Sequence, residues 1–391
     1  MLKIGIITHY LNSTNYGGNL QAYALCTYLK NHGYDAQQIS YDRSFDNSPP
    51  KSIVKRIKWF LRKTQKKVKR IPAEIKTVAI RKKLKQRENT VLCFNRSIPH
   101  TKVYTSKTIA SCVDEFDVFI TGSDQVWNPL AVCDAYLLNF VNPNKAFKMS
   151  YAASVSANEL SPQIIERYKN SLNSYHAISV RENQAIKLLQ SHIDPKMDWV
   201  LDPTLLISQE EWKNITTKRK NNISYMFCYF LGDSLKQRKI AEEYAKNHNL
   251  KIYTLPYLNG LFRKCDKSFG DERLFDVSPE NFIELIANSE CVFTDSFHAV
   301  VFSIIFKKQF FVFDRVIKQS LGSRIKDLTD LFDLGYRFCN TPEKFNIDYI
   351  ESVKETDYSK PFPKFENMKN LSEKYLLSNL RKAKEMKNSE N

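Results

Sequence analysis

The segment Thr294-Asp-Ser-Phe-His298 sets hydroxyls, a carboxylate and an imidazole between an apolar run, Cys291–Thr294, and an apolar helical run, His298–Phe306. A histidine in the first turn of a helix meets a dipole that opposes imidazolium, while a bound phosphate favours it. Such a group titrates near neutrality and suits general acid or base work. The same residues also read as an ordinary helix start, with Asp295 or Ser296 as N-cap and His298 facing solvent. Val180-Arg181-Glu182 puts a guanidinium at the end of a short strand, where it can grip a carboxylate or phosphate in two-point fashion. Its alternative is an Arg–Glu surface pair, which contributes little. Within Gly122-Ser-Asp-Gln-Val-Trp127, a glycine turn (Gly122) carries a hydroxyl (Ser123), a carboxylate (Asp124), an amide (Gln125) and an indole (Trp127). Asp124 and Gln125 can bond sugar hydroxyls and Trp127 can stack on a sugar face; equally, the loop is a capped turn with Trp127 in the core. In Asn15-Tyr-Gly-Gly18, Gly17 and Gly18 follow the first strand and let backbone N–H groups approach an anion, or they make a tight turn. This is not a G-x-G-x-x-G fingerprint, which argues against a dinucleotide site. Downstream, Lys318 and Arg324 flank the end of the Phe310–Phe313 run and can reach the same place.

These groups need elements to hold them. Leu2–His9 reads as a buried strand, Asn19–His32 as a helix ended by Gly33, and Ala36–Tyr41 as the next strand. Phe116–Thr121 runs as a strand into Gly122, Ala177–Val180 into Arg181, and Trp199–Leu201 into Asp202-Pro203. A second set begins near residue 220: strand Ser224–Leu231, helix Leu235–Asn247, strand Lys251–Leu255, helix Pro279–Asn288, strand Cys291–Thr294. The tail Glu366–Lys387 reads as a last amphipathic helix. The expected fold is α/β: two Rossmann-like domains, 1–212 and 220–345, facing a cleft, with a basic helical insertion at 51–87 and a helical tail at 362–391.

Composition narrows the class. A chain of 391 residues that is 42% hydrophobic can bury more than one core. The eight cysteines form no C-x-x-C pair and read as buried thiols in a reducing compartment. Met1–Tyr10 lacks a basic leader and a cleavage site, and no run matches the roughly 18 apolar residues of a membrane span, so a cytoplasmic protein is expected. From Lys51 to Arg87 there are sixteen Lys/Arg and one acid, so nearly all of the net charge of +17 lies in one segment. Apolar Ile53, Ile57, Trp59, Phe60 and Leu61 interleave there, as in a helix resting on an anionic membrane. A solvated helix or a partner-binding arm is the other reading. No nucleic-acid-binding motif accompanies the charge.

Six segments, in order, resemble the polysaccharide pyruvyl transferase family: Asn15-Tyr-Gly-Gly-Asn-Leu-Gln-Ala-Tyr-Ala-Leu25, Thr121-Gly-Ser-Asp-Gln-Val-Trp-Asn-Pro129, Ser150-Tyr-Ala-Ala-Ser154, Ser179-Val-Arg-Glu182, Leu201-Asp-Pro-Thr-Leu205 and Thr294-Asp-Ser-Phe-His298. The basic insertion and the tail after Pro361 lie outside the likeness. The resemblance implies a GT-B-like fold and transfer of the pyruvyl group of phosphoenolpyruvate to a sugar of a bacterial surface polysaccharide, or of its lipid-linked precursor, as a cyclic ketal. Phosphoenolpyruvate is a donor substrate; no cofactor and no metal are implied. His298 and Arg181 match the family's important histidine and arginine, and Lys318 falls where some relatives carry a donor-binding lysine, with Arg324 as a competing cation. Ser296 and the loops at Asn15, Gly17, Gly18 and Gly122–Trp127 would contact substrate. A nucleotide-sugar glycosyltransferase on the same architecture, or a carbohydrate-binding protein without activity, are the alternatives; no D-x-D metal motif supports the first.

Overall fold

The computed structural model describes residues 1–46, 78–216, 223–257, 262–315 and 323–389. The short Ile-, Val- and Phe-rich runs become parallel strands with both faces covered, as crossover helices on either side require. The first sheet has the order β3-β2-β1-β4-β5, with β1 Lys3–Ile7, β2 Asp35–Tyr41, β3 His100–Tyr104, β4 Val118–Thr121 and β5 Phe147–Ser150. The pair β6 (Ile178–Val180) and β7 (Met197–Trp199) continues it, because bridges Met149–Ala177 and Ala153–Val180 tie β6 to the β5 edge. The second sheet has the order β10-β9-β8-β11-β12-β13. Its strands are β8 Tyr225–Tyr229, β9 Lys251–Thr254, β10 Glu272–Arg273, β11 Cys291–Thr294, β12 Gln309–Phe313 and β13 Phe338–Cys339. The order reverses beside β1 in the first sheet and beside β8 in the second. Loops leaving β1 and β4, or β8 and β11, diverge there and open a crevice at the carboxyl ends of the strands.

Helices fill the crossovers. α1 (Tyr16–Asn31) follows β1, and α2 (Val78–Ser97) leads into β3. α3 (Pro162–Leu172), α4 (Asn183–Leu189) and α5 (Gln209–Asn214) complete the first lobe. The second carries α6 (Leu235–Asn247), α7 (Pro279–Ala287), α8 (Phe297–Ile305), α9 (Ser323–Leu331) and α10 (Ile347–Ser352). Every residue of α8 is buried, which its all-round apolar sequence demands. α11 (Pro361–Ser389) returns to the first lobe. There the Tyr375 hydroxyl donates to Ser150 O at 2.9 Å, Leu201 N donates to Ser372 Oγ at 2.9 Å, and Lys387 pairs with Asp117 at 2.8 Å.

One apolar cluster runs from β1 and α1 through to α7 and α8, so the lobes are packed against each other. Tyr16 stacks on Phe282 with ring centres 4.9 Å apart and donates to Val277 O at 2.8 Å. Arg87 of α2 donates to the Tyr16 hydroxyl and to Pro256 O, each at 2.7 Å.

The two expected α/β units are present, with adjusted edges. α1 begins at Tyr16 rather than Asn19 because Asn15 Oδ1 accepts from Gly17 N and Gly18 N and draws both glycines into the first turn. The final helix is longer than expected at both ends. Of the basic stretch 51–87, residues up to 77 lie outside the described ones, and the remainder belongs to α2, which is built into the lobe contact. β3 and α9 had no counterpart in the sequence reading. The cysteines are all free, but not all buried: Cys93 is exposed, and Cys133 and Cys265 are half-buried.

Candidate active site

The chemistry-bearing residues converge where carboxyl ends of strands from both sheets meet. Arg181 leaves β6, Asp202 follows β7, Ser123 and Asp124 follow β4, and His298 lies in the first turn of α8 after β11. Asp202 joins them. Its Oδ1 accepts from Thr204 N at 3.1 Å and Thr204 Oγ1 at 2.6 Å, capping the short turn Pro203–Leu205. Its Oδ2 accepts from Arg181 Nη1 at 2.7 Å and Ser123 Oγ at 2.8 Å, and His298 Nε2 lies 3.7 Å away, within ion-pair range but beyond a hydrogen bond. Burial alone would raise this carboxyl; His298, Arg181 and the Thr204 bonds outweigh it and hold it well below the usual carboxylate range.

Asp124 faces the same guanidinium, with Oδ1 3.7 Å from Arg181 Nη2. Its backbone has φ +71°, a left-handed conformation that costs a non-glycine residue on the order of 1–3 kcal/mol and is tolerated where surroundings over-determine it. Here the backbone carbonyl accepts from Val126 N and Ser154 N, which fixes the turn. Burial raises the Asp124 carboxyl, and Arg181, His298, His9 and Arg324 together bring it below its ordinary value.

Arg181 is buried, and its guanidinium lies 4.3 Å from the centre of the Phe297 ring. It is therefore neither a surface ion pair nor a lone anion clamp: the buried Asp202 and the half-buried Asp124 already compensate it, as burial of a guanidinium requires. Glu182, the supposed partner, turns the other way and accepts from Val155 N, Ser156 N and Ser154 Oγ. Arg324, on α9, reaches across from the second lobe. With the Gln125 amide turned so that its oxygen faces the guanidinium, Arg324 donates from both Nη1 and Nη2 at 3.0 Å. It lies over the same Phe297 ring at 5.9 Å. Burial and then Arg181 lower its pKa to about 10, so it stays charged at neutral pH.

Among the described residues, Arg181 Nε and Nη2, Arg324 Nε and His298 Nε2 are buried without a hydrogen-bond partner. Buried polar atoms are ordinarily satisfied, so these unpartnered nitrogens make this junction the candidate place for a ligand, with Arg181 Nη2 also 3.7 Å from Asp124.

The remaining expected site residues divide. Gly17 packs on the His298 ring so closely that a Cβ there would sit 2.0 Å from Nδ1. Gly18 lies against His9 O, and a Cβ there would be 2.9 Å from it. Asn15 is occupied in capping α1. Ser296 is the N-cap of α8 but its hydroxyl makes no capping bond. Gly122 is a packing glycine, whose Cβ would meet Ile6 at 3.1 Å and Thr8 at 3.3 Å. Trp127 is fully buried with its indole N–H on Tyr136 O, so it is core and cannot stack on a ligand. Lys318 lies outside the described residues. Asp202 and His9 had not been singled out. His9 Nε2 sits 3.2 Å from Gln125 O beside Tyr136, and burial lowers its pKa. The helix-capping Asp-Pro-Thr of Leu201–Leu205 was the signal available for Asp202; nothing in sequence marked His9.

The model of the polysaccharide pyruvyl transferases matches residues 15–315. The chain belongs to this family. Arg181, Asp202 and His298 of this family member lie within the matched span; Arg324 completes the cluster from beyond it. Among solved structures, the UDP-GlcNAc 2-epimerase of Methanocaldococcus jannaschii in complex with UDP-GlcNAc and UDP is similar at 14% identity, TM-score 0.51, over 91% of this chain and 94% of that one. The S. aureus MnaA–UDP structure is similar at 11% identity, TM-score 0.50, over 92% and 90%. At such identities the likeness shows the two-lobed GT-B-type fold alone. No curated protein matches the chain. Among the described residues, no helix is long and apolar enough to cross a membrane.

Proposed function

We propose that this pyruvyl transferase family member moves the pyruvyl group of phosphoenolpyruvate onto two hydroxyls of a polysaccharide or precursor sugar, forming a cyclic ketal and releasing phosphate. The observation that carries this reading is the convergence of four buried nitrogens without a hydrogen-bond partner, from Arg181, Arg324 and His298, at the meeting point of the two sheets. A small donor with a carboxylate and a phosphate satisfies such a cluster.

The reaction balances as follows. A proton adds to C3 of the enol, a sugar hydroxyl attacks C2, and the first hydroxyl proton is released. The C2–O bond to phosphate then breaks, a second hydroxyl closes the ring, and its proton leaves with phosphate. His298 Nε2 handles a proton in this sequence, and Asp202 positions the ring. Arg324 makes the main contact to the donor anion, because only a neutral amide faces its Nη atoms. Arg181 adds its Nε and Nη2 edge while Asp202 and Asp124 fix its plane. Lys318 shares the donor load. Supporting this over a nucleotide-sugar donor is the family match.

In deuterated water the pyruvyl methyl of the product gains one deuterium, and phosphate release depends on the acceptor. Phosphate release without acceptor, or a ketal lacking deuterium, contradicts the scheme. The basic residues ahead of α2 rest on an anionic membrane, where a lipid-linked acceptor is presented. Flotation with phosphatidylserine vesicles tests this: removal of 51–77 abolishes flotation, and undiminished flotation removes the idea.

A further inference from the structure

A cavity of about 390 Å³ lies between the lobes beside the site just described, within the range of about 300–1,000 Å³ typical of ligand pockets. Its walls include Asn15, Arg87, Glu88, Tyr229, Tyr257 and Arg315, and neither Arg181 nor His298 is among them. It adjoins the site on two sides. Asn15 begins the turn whose Gly17 touches His298. Leu231, also on the wall, donates its N–H to Asp295 at 2.7 Å, three residues before His298.

Two guanidiniums define its chemistry. Arg87 is buried and aimed: Nε and Nη1 are held by the Tyr16 hydroxyl and Pro256 O. Arg315 is half-buried and has no hydrogen bond or ion pair among the described residues. The buried Asp295 carboxylate accepts from the N–H groups of Leu231 and Gly232 and offsets part of the Arg315 charge. Glu88 is exposed. Two arginines from opposite lobes line this one cavity and fit a bridging phosphate or diphosphate. A neutral sugar gives no reason for Arg315, and Arg87 keeps Nη2 beyond its two structural bonds.

We propose that this cavity binds the phosphate or diphosphate through which the acceptor sugar is linked to its carrier, with Arg315 and Arg87 as the gripping groups. The proposal rests on the reading that the acceptor is a sugar. Its source is a lipid diphosphate or a nucleoside diphosphate, which share this chemistry.

The test is calorimetric titration of the full chain with inorganic pyrophosphate, with UDP, and with farnesyl diphosphate in phosphatidylcholine vesicles. Pyrophosphate binds the wild type, and Arg315→Ala weakens it by about tenfold or more, the loss of one charge-assisted contact. Arg315→Lys falls between the two, and the loss on Arg315→Ala persists in a His298→Ala background, because the cavity is separate from the donor cluster. Tighter binding of farnesyl diphosphate than of UDP assigns the lipid source, and the reverse assigns the nucleotide. No binding, or binding indifferent to Arg315→Ala in a variant that melts like the wild type, overturns the proposal. These readouts need no turnover, so failure of pyruvyl transfer appears separately, as absence of ketal product.

Discussion

Asp202 is the residue on which the site's geometry depends. It accepts from Arg181, Ser123 and Thr204, and lies within ion-pair range of His298. Asp202→Asn leaves a buried guanidinium facing only the more distant Asp124, and costs about 3 kcal/mol, seen as a lower midpoint in urea unfolding. The sign of its pH dependence follows from the depressed carboxyl. The stabilisation is complete above the unfolded pKa of about 3.9 and is lost as pH falls below it towards the folded value. In the wild type, acid unfolding therefore steepens below that point, and in Asp202→Asn this component is missing. A second residue-scale prediction contrasts two glycines. Ala at Gly17 collides with the His298 ring and lowers kcat by about tenfold or more, roughly 1.4 kcal/mol of barrier. Ala at Gly33, where φ is +80° and no atom lies within 4 Å, costs about 1 kcal/mol of stability and leaves turnover alone. Equal kcat in the two variants contradicts the contact with His298.

At the scale of elements, much was legible because buried parallel strands announce themselves as short apolar runs followed by turns. β11, α6 and β12 follow their apolar patterns nearly to the residue. Arg181 and His298 were legible as polar residues placed directly after such runs. What sequence hides is partner choice. Trp127 in a Gly-Ser-Asp-Gln loop has the composition of a sugar platform, yet Tyr136 and Tyr175 enclose it. Arg181 and Glu182 are adjacent in sequence but diverge, because successive residues at a strand end face opposite sides. α9 packs four charges into nine residues around a short buried face of Ile325 and Leu328 that the sequence reading passed over, so Arg324 arrived without its element. The returning α11 is the largest tertiary contribution of the tail: Leu376 and Leu380 are fully buried in the shared core. Leu376→Ala costs about 2–5 kcal/mol by cavity formation, read as a lower melting temperature. A change under about 0.5 kcal/mol shows that the helix is peripheral.

The whole molecule is two α/β lobes pressed together through Tyr16, Phe282 and Arg87, with the reactive groups shielded at their junction. Most of the net positive charge precedes α2, the helix that carries Arg87 to that junction. The architecture thus places an interlobe cavity beside a cluster of buried, unpartnered nitrogens. The most direct measurement of the central claim is mass analysis after incubating the purified chain with phosphoenolpyruvate and a panel of acceptor glycans, alongside His298→Ala. The account predicts one acceptor that gains a single pyruvyl ketal with one phosphate released, and no gain with a folded His298→Ala. Ketal formation at the wild-type rate by His298→Ala, or transfer from a nucleotide sugar with none from phosphoenolpyruvate, contradicts it.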